Sequence, residues 1–246
     1  MHVAFVAGAT GYTGREVVLA CRRLGWRTVA HIRPGSAALA RWQPRFAAAG
    51  AEVDTTPWEL DAMTGTLARV RPSVVFALLG TTRQRARGEG LEARDAYRRV
   101  DYGLTALLVD AALASGSRPR FVYLSSVGAG SAGGNAYLQA RADVEAKLRG
   151  SGLPWTIVRP SFITGPDREE SRPLERVTAR LADSALAVAA TLGARSLRDR
   201  YRSTDAATLA AALAAAASDP ACENVVLESA EARSLGRRPG SSTATG

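Results

Sequence analysis

The chain is poor in cysteine, histidine and lysine. Of its 246 residues, two are cysteine, Cys21 and Cys222, and two are histidine, His2 and His31. Two cysteines cannot build a disulfide framework, and no metal-ligand spacing is present, so both are expected to be packing residues and no metal is expected. His2 and His31 read as ordinary strand-end residues. Lysine occurs once, at Lys147, which leaves 31 of the 32 basic residues as arginine. With the alanine content, this points to a GC-rich bacterial genome. No apolar run reaches the ~18 residues of a membrane span, and no basic leader precedes the first strand. A cytoplasmic protein without a membrane partner is expected. No Pro/Gly-rich linker or internal repeat divides the chain, so residues 1–232 are expected to form one domain. From Arg233 onward periodicity is lost, and 233–246 reads as a flexible tail.

A formal net charge of +9 and a pI near 10.5 raise nucleic-acid binding as a class. The arginines, however, are scattered rather than interleaved with aromatics, and no helix-turn-helix or zinc pattern occurs. No nucleic-acid partner is expected, and the charge favours anionic small ligands.

The most informative stretch is Ala7-Gly8-Ala9-Thr10-Gly11-Tyr12-Thr13-Gly14, where the apolar run Val3 to Ala7 gives way to a helical pattern. Gly8 suits a tight turn, Gly11 a close approach to phosphate, and Gly14 close helix-on-strand packing. The helix that follows, with Val17, Val18, Cys21 and Leu24 on one face, presents its positive end to a pyrophosphate. Gly8, Thr10, Gly11, Tyr12, Thr13, Gly14 and Arg15 therefore form a candidate dinucleotide site. The second apolar run, Thr28 to Ile32, ends in Arg33, where NAD-preferring proteins of this design usually carry an acidic residue. Arg33, helped by Arg15, matches a 2′-phosphate, so NADP(H) is expected rather than NAD(H).

Strand and helix patterns then alternate: a helix at 36–49, a strand at 51–54, a helix at 60–70, and a fourth, fully apolar strand at 73–79. Leu79, Gly80, Thr81 and Thr82 at its end are candidate cofactor contacts. Residues 83–94, basic and glycine-punctuated, read as a loop over the cofactor edge. A long helix follows with Tyr97, Val100, Leu104, Leu107, Leu108 and Ala111 at helical spacing. A fifth strand at 121–124 ends in Ser125-Ser126, and Tyr137 opens a helix running to about Arg149. A sixth strand at 155–158 ends in Arg159-Pro160, with Pro160 and Phe162 as further cofactor-edge candidates. Alanine-rich helices are expected at 174–193 and 204–218, and an edge strand at 225–227. The expected fold is α/β, a doubly wound, mainly parallel sheet with helices on both faces.

Ser126 and Tyr137 fall on the same sheet edge as the glycines. A hydride delivered to a carbonyl carbon must be matched by a proton to its oxygen. Tyr137 is placed to supply that proton and Ser126 to polarise the oxygen. A phenol titrates near 10, so the chemistry asks for a fixed cation close by.

In these motifs the sequence resembles the atypical short-chain dehydrogenase/reductases, and most closely the Tat-interacting-protein-like oxidoreductases. The likeness spans about residues 3–175. It rests on Gly8 to Arg15, Leu79 to Arg83, Gly88-Glu-Gly90, Val100-Asp101, Leu124 to Ser126, Tyr137-Leu-Gln139, Val144-Glu145, Arg159-Pro160 and Glu170 to Pro173. The resemblance implies an NADP(H)-binding Rossmann-like fold. It implies Ser126, Tyr137 and the position of Arg141 as the catalytic set, with Arg141 also touching cofactor. The family's Tyr-x-x-x-Lys pair stands here as Tyr137-x-x-x-Arg141. Arginine keeps the charge but cannot release a proton. Two readings stay open: a reductase of a small, aromatic or cyclic carbonyl compound, and a non-catalytic NADP(H) sensor that binds a protein partner. Asp101 stands where many members carry an active-site asparagine. The substrate pocket is expected among 161–172, the helix from Leu174 and 128–135, and the state is monomer or homodimer.

Overall fold

The computed structural model describes residues 2–81, 83–88, 90–130, 135–161, 163–164 and 204–237. Strand β1 (Val3–Ala7) leads through the glycine turn into α1 (Tyr12–Arg23), then β2 (Arg27–His31), α2 (Leu39–Ala48), β3 (Glu52–Asp54), α3 (Leu60–Val70) and β4 (Val74–Ala77). After β4 come α4 (Arg83–Gly88), α5 (Ala93–Ala96), a π-helical segment (Tyr97–Leu104) and α6 (Thr105–Ala114). The chain continues through β5 (Arg120–Leu124), α7 (Ala136–Gly150), β6 (Trp155–Arg159), β7 (Ile163–Thr164), β8 (Thr204–Asp205), α8 (Ala206–Ser218), β9 (Val225–Glu228) and α9 (Ser229–Gly236).

The main sheet has the order β3-β2-β1-β4-β5-β6-β9, and every pairing in it is parallel. The chain moves outward from β1 to β3 and then returns to the other side of β1. This reversal opens a crevice above the carboxyl ends of β1 and β4, the place where such sheets bind ligands. The expected doubly wound fold is therefore present, and β9 is its edge strand.

Side chains alternate across the sheet because the strand period is two. Ala4, Val6, Phe76, Val122 and Val158 face Val17, Val18, Cys21, Phe46, Leu209 and Leu213. Phe5, Val75, Phe121, Tyr123 and Ile157 face Met63, Leu67, Leu108, Val144 and Leu148. Cys21 is buried in the first layer, and burial pushes its thiol up to about 12. That makes it a packing residue, and both cysteines are free. Leu24 leaves the expected α1 face: it is the C-cap residue and half-exposed.

Three expectations change. Residues 83–94 are not a plain loop, because arginine and alanine are strong helix formers and build α4 and α5 around buried Ala86 and Ala96. Gly90, at φ +68°, makes the break between them. The long helix is continuous, but its middle winds as a π-helix. The tail cannot begin at Arg233. That residue is buried in α9 and donates to Ser229 Oγ at 2.6 Å, and α9 starts with a reciprocal capping box of Glu228 and Glu231. A Cβ on Gly236 would lie 2.2 Å from Thr208 O, so α9 meets α8 at backbone distance. The helix expected at 174–193 lies outside the described residues.

Candidate functional site

The tight turn expected at Gly8 and the close packing expected at Gly14 are both present. Gly8 has φ +84°, and a Cβ there would stand 2.6 Å from Leu78 O. A Cβ on Gly14 would stand 2.1 Å from Gly8 O, so α1 lies directly on the end of β1. Gly11 donates its N–H to Gly8 O at 3.0 Å, and α1 starts with no side-chain cap. A turn whose backbone is bared at its glycines and a helix start without a side-chain cap together fit a dinucleotide pyrophosphate. Thr10, Tyr12 and Thr13 are on the same turn, with Thr13 buried.

Beside this cradle, Arg33 follows β2 and is exposed. The same region holds Trp42 of α2, a residue that no sequence motif singled out. The guanidinium carbons of Arg15, Arg45 and Arg41 lie 4.8, 5.0 and 5.4 Å from the Trp42 ring centroid. A signal existed, since Arg41, Trp42 and Arg45 share a helix face, but their meeting with Arg15 is a tertiary fact. His31 lies inward, buried against Trp58, with Nε2 2.8 Å from Thr56 O. Burial lowers its pKa against the opposing pull of Thr56 and Asp54.

The β4 end holds a buried ion pair. Arg141 reaches from α7 to donate through Nη1 to Leu79 O (3.1 Å), Leu124 O (2.8 Å) and Tyr123 Oη (3.2 Å). Its Nη2 donates to Asp101 Oδ1 at 2.9 Å, and Asp101 Oδ2 accepts the Thr81 N–H at 3.0 Å. One guanidinium thus ties the ends of β4 and β5 to the π-helical segment, a helix form that often marks functional sites. Burial would discharge Arg141, but Tyr123, Tyr137 and Asp101 outweigh it and hold the charge. Burial also pushes the Tyr123 phenol up to about 12. Arg141 Nε is buried with no hydrogen-bond partner. Gly80 was expected to admit a cofactor; in the fold the space beside it is taken by Arg141, whose Nη2 would stand 2.6 Å from a Cβ there.

Tyr137 is the second residue of α7, whose N-cap Asn135 accepts the Leu138 N–H at 3.1 Å. Arg141, one turn later, places its guanidinium carbon 5.1 Å from the Tyr137 ring centroid, and Tyr97 meets the same ring edge-on at 5.4 Å. Ser126 is half-buried after β5, with its Oγ 3.4 Å from Val127 O. Its neighbour Ser125 is turned inward and donates to Glu145 Oε1 at 2.6 Å. Arg159 grips both Glu145 oxygens at 2.9 and 2.6 Å, and Arg149 adds a third guanidinium bond. Burial pushes the Glu145 carboxyl up, but the bonds from Arg159 and Ser125 outweigh it and hold the group below the usual range. Pro160 O accepts the Val127 N–H, joining the Ser126 loop to the end of β6. The pairing of Glu145 with Arg159 was not legible in the sequence, since residues 14 apart on different elements show no spacing rule.

Tyr137 lines a cleft of about 420 Å³ together with Arg87, Leu91, Glu92, Ala93, Arg94, Tyr97, Asn135 and Ala136. The cleft therefore lies against α4 and α5. The side on which the pocket was expected falls largely outside the described residues, as do Thr82 and Phe162.

The parallel order, the glycine cradle and the crevice above β1 and β4 define a doubly wound, dinucleotide-binding protein. A family model described as NAD(P)H-binding matches residues 8–220, and the chain belongs to that family, an atypical branch of the short-chain dehydrogenase/reductases. The mitochondrial protein fmp52 of Aspergillus fumigatus is 31% identical over 182 residues, 71% of each chain. The fmp52 protein of Aspergillus clavatus is 34% identical over 125 residues, and the match spans about half of that protein (48%) and 50% of this one. The chloroplastic protein TIC 62 of Oryza sativa subsp. japonica is 29% identical over 178 residues, 67% of this chain and 36% of that one. Among solved structures, the UDP-Glc/GlcNAc 4-epimerase of Campylobacter jejuni superposes with a TM-score of 0.65 at 12% identity, over 95% of this chain and 82% of that one. Pinoresinol-lariciresinol and phenylcoumaran benzylic ether reductases superpose at 0.52 with 18% identity, over 66% and 50%. These two likenesses are of fold.

Proposed function

We propose that the protein is an NADPH-dependent oxidoreductase that reduces a small carbonyl compound, with Tyr137 as proton donor. The observation that carries this reading is a tyrosine on the wall of the 420 Å³ cleft with a buried guanidinium 5.1 Å from its ring. The pyrophosphate would take the uncapped start of α1, against Gly8, Gly11 and Gly14, with Thr10, Tyr12 and Thr13 around it. Arg15, Arg33, Arg41 and Arg45 would meet the adenosine end. Their planar forks suit a doubly charged 2′-phosphate, which favours NADP(H) over NAD(H). Leu79, Gly80, Thr81 and Pro160 lie on the edge nearer the reacting end.

When bound, the nicotinamide supplies a hydride to the substrate's carbonyl carbon. Ser126 polarises the carbonyl oxygen, and Tyr137 gives it a proton. Arg141 favours the phenolate left behind through its charge. It takes no part in a proton relay, because a guanidinium keeps its proton. The test is fluorescence titration with NADPH and NADH, followed by NADPH consumption with ketones and quinones for wild type, Tyr137→Phe and Arg141→Lys. Turnover lost in Tyr137→Phe with binding retained supports the reductase.

One observation favours a second reading, a non-catalytic NADP(H) sensor with a protein partner. Arg141 Nη donors are taken up by Leu79 O, Leu124 O, Tyr123 and Asp101, where the related lysine binds ribose. Tight NADPH binding without oxidation by any carbonyl compound, with activity arising only in Arg141→Lys, would favour this second reading.

A further inference from the structure

Most of the polar side chains that line the 420 Å³ cleft are hydrogen-bond donors. Arg87, from the end of α4, and Arg94, from α5, bring two guanidiniums to it from two separate elements. Among the described residues neither is held in an ion pair. Asn135 uses its carbonyl oxygen to accept the Leu138 N–H and keeps both amide N–H donors for a ligand. Tyr137 adds a hydroxyl to the lining. Against these stands one carboxylate, Glu92, so the cleft carries a net positive charge. The flat component of a ligand would lie along the Tyr97 and Tyr137 rings, which meet edge-on at 5.4 Å. The volume suits a compound of one or two rings.

We infer that the cleft recognises an anionic carbonyl compound: a ring-bearing oxo acid whose carboxylate meets Arg87 and Arg94 while its carbonyl faces Tyr137. Two guanidiniums bind a carboxylate by paired, charge-assisted bonds that a neutral ester cannot reproduce. The inference rests on the proposed reductase for the role of the carbonyl, but the selection for negative charge follows from the cleft itself.

The test uses two probes of nearly equal shape, 4-acetylbenzoate and methyl 4-acetylbenzoate, titrated calorimetrically into the full-length protein with and without NADP⁺. The acid is expected to bind at least about tenfold more tightly than the ester. Arg87→Met and Arg94→Met should each remove most of that preference and leave the ester unchanged. Both residues are exposed, so melting curves should match wild type. Equal affinity for acid and ester, no binding of either, or unaltered preference in both arginine variants overturns the inference. Selective acid binding without NADPH oxidation would leave it standing and sink the reductase reading instead. Oxidation of NADPH by the ester and the acid alike would do the reverse.

Discussion

Replacing Arg141 by methionine tests whether one guanidinium holds the β4 and β5 ends together. The change keeps an unbranched apolar stem but removes the partner of Asp101, which is fully buried. It also leaves Leu79 O and Leu124 O without the donor they share. Removing one member of a buried ion pair costs about 3–5 kcal/mol, because the remaining charge is left uncompensated. For a chain of this length that is a fall in melting temperature of about 6–20 °C. Asp101→Asn alone should cost a comparable amount, since it strands the guanidinium. The double variant leaves no unpaired charge at the 101–141 site, and Asn at 101 can still accept the Thr81 N–H, so it should melt above the Arg141→Met protein. Thermal unfolding followed by circular dichroism at pH 7 gives all four corners of the cycle. A fall under about 2 °C for Arg141→Met, or costs that simply add in the double variant, would refute the clamp.

Gly14→Ala should abolish nucleotide binding and destabilise the fold, since a Cβ there would sit 2.1 Å from Gly8 O; calorimetric titration and melting check both halves. Arg45→Ala should weaken NADPH binding about tenfold and leave NADH within about twofold, read by fluorescence titration. Acid should weaken the protein through Glu145. Its folded pKa lies below the unfolded value, so its contribution is complete above about pH 4.3 and is lost as pH falls further. Urea unfolding at pH 7 and pH 3.5 should show a smaller acid loss in Glu145→Gln than in wild type. His31 adds a second acid-sensitive step: buried with a lowered pKa, it contributes stability above about pH 6.5 that declines below it. His31→Gln should flatten the profile between pH 7 and pH 5.

Local pattern carried much of this molecule. The Gly8, Gly11 and Gly14 spacing marked the cradle, and the helix expected at 60–70 has those bounds in the structure. These features depend on neighbours close in sequence. The π-helical segment did not show, because Tyr97, Val100 and Leu104 fit ordinary helical spacing whichever way the turn is wound. The glycines at 88 and 90 hid α4 and α5, whose burial of Ala86 and Ala96 is a tertiary contact. Tyr137 and Arg141 were legible as an i, i+4 pair. The attachment of Arg141 to Leu79, Leu124 and Asp101 was not, since those partners lie 62, 17 and 40 residues away. The Trp42 cluster and the Glu145 network escaped for the same reason.

The most direct test of the account is the rate of NADPH oxidation by Tyr137→Phe beside wild type, at nucleotide concentrations that saturate both. The account predicts unchanged NADPH affinity and a rate lowered by at least about 10²-fold, the contribution of a positioned proton donor. An unchanged rate in Tyr137→Phe would contradict the assignment of that tyrosine, and failure of wild type to bind NADPH or NADH would contradict the account at its base.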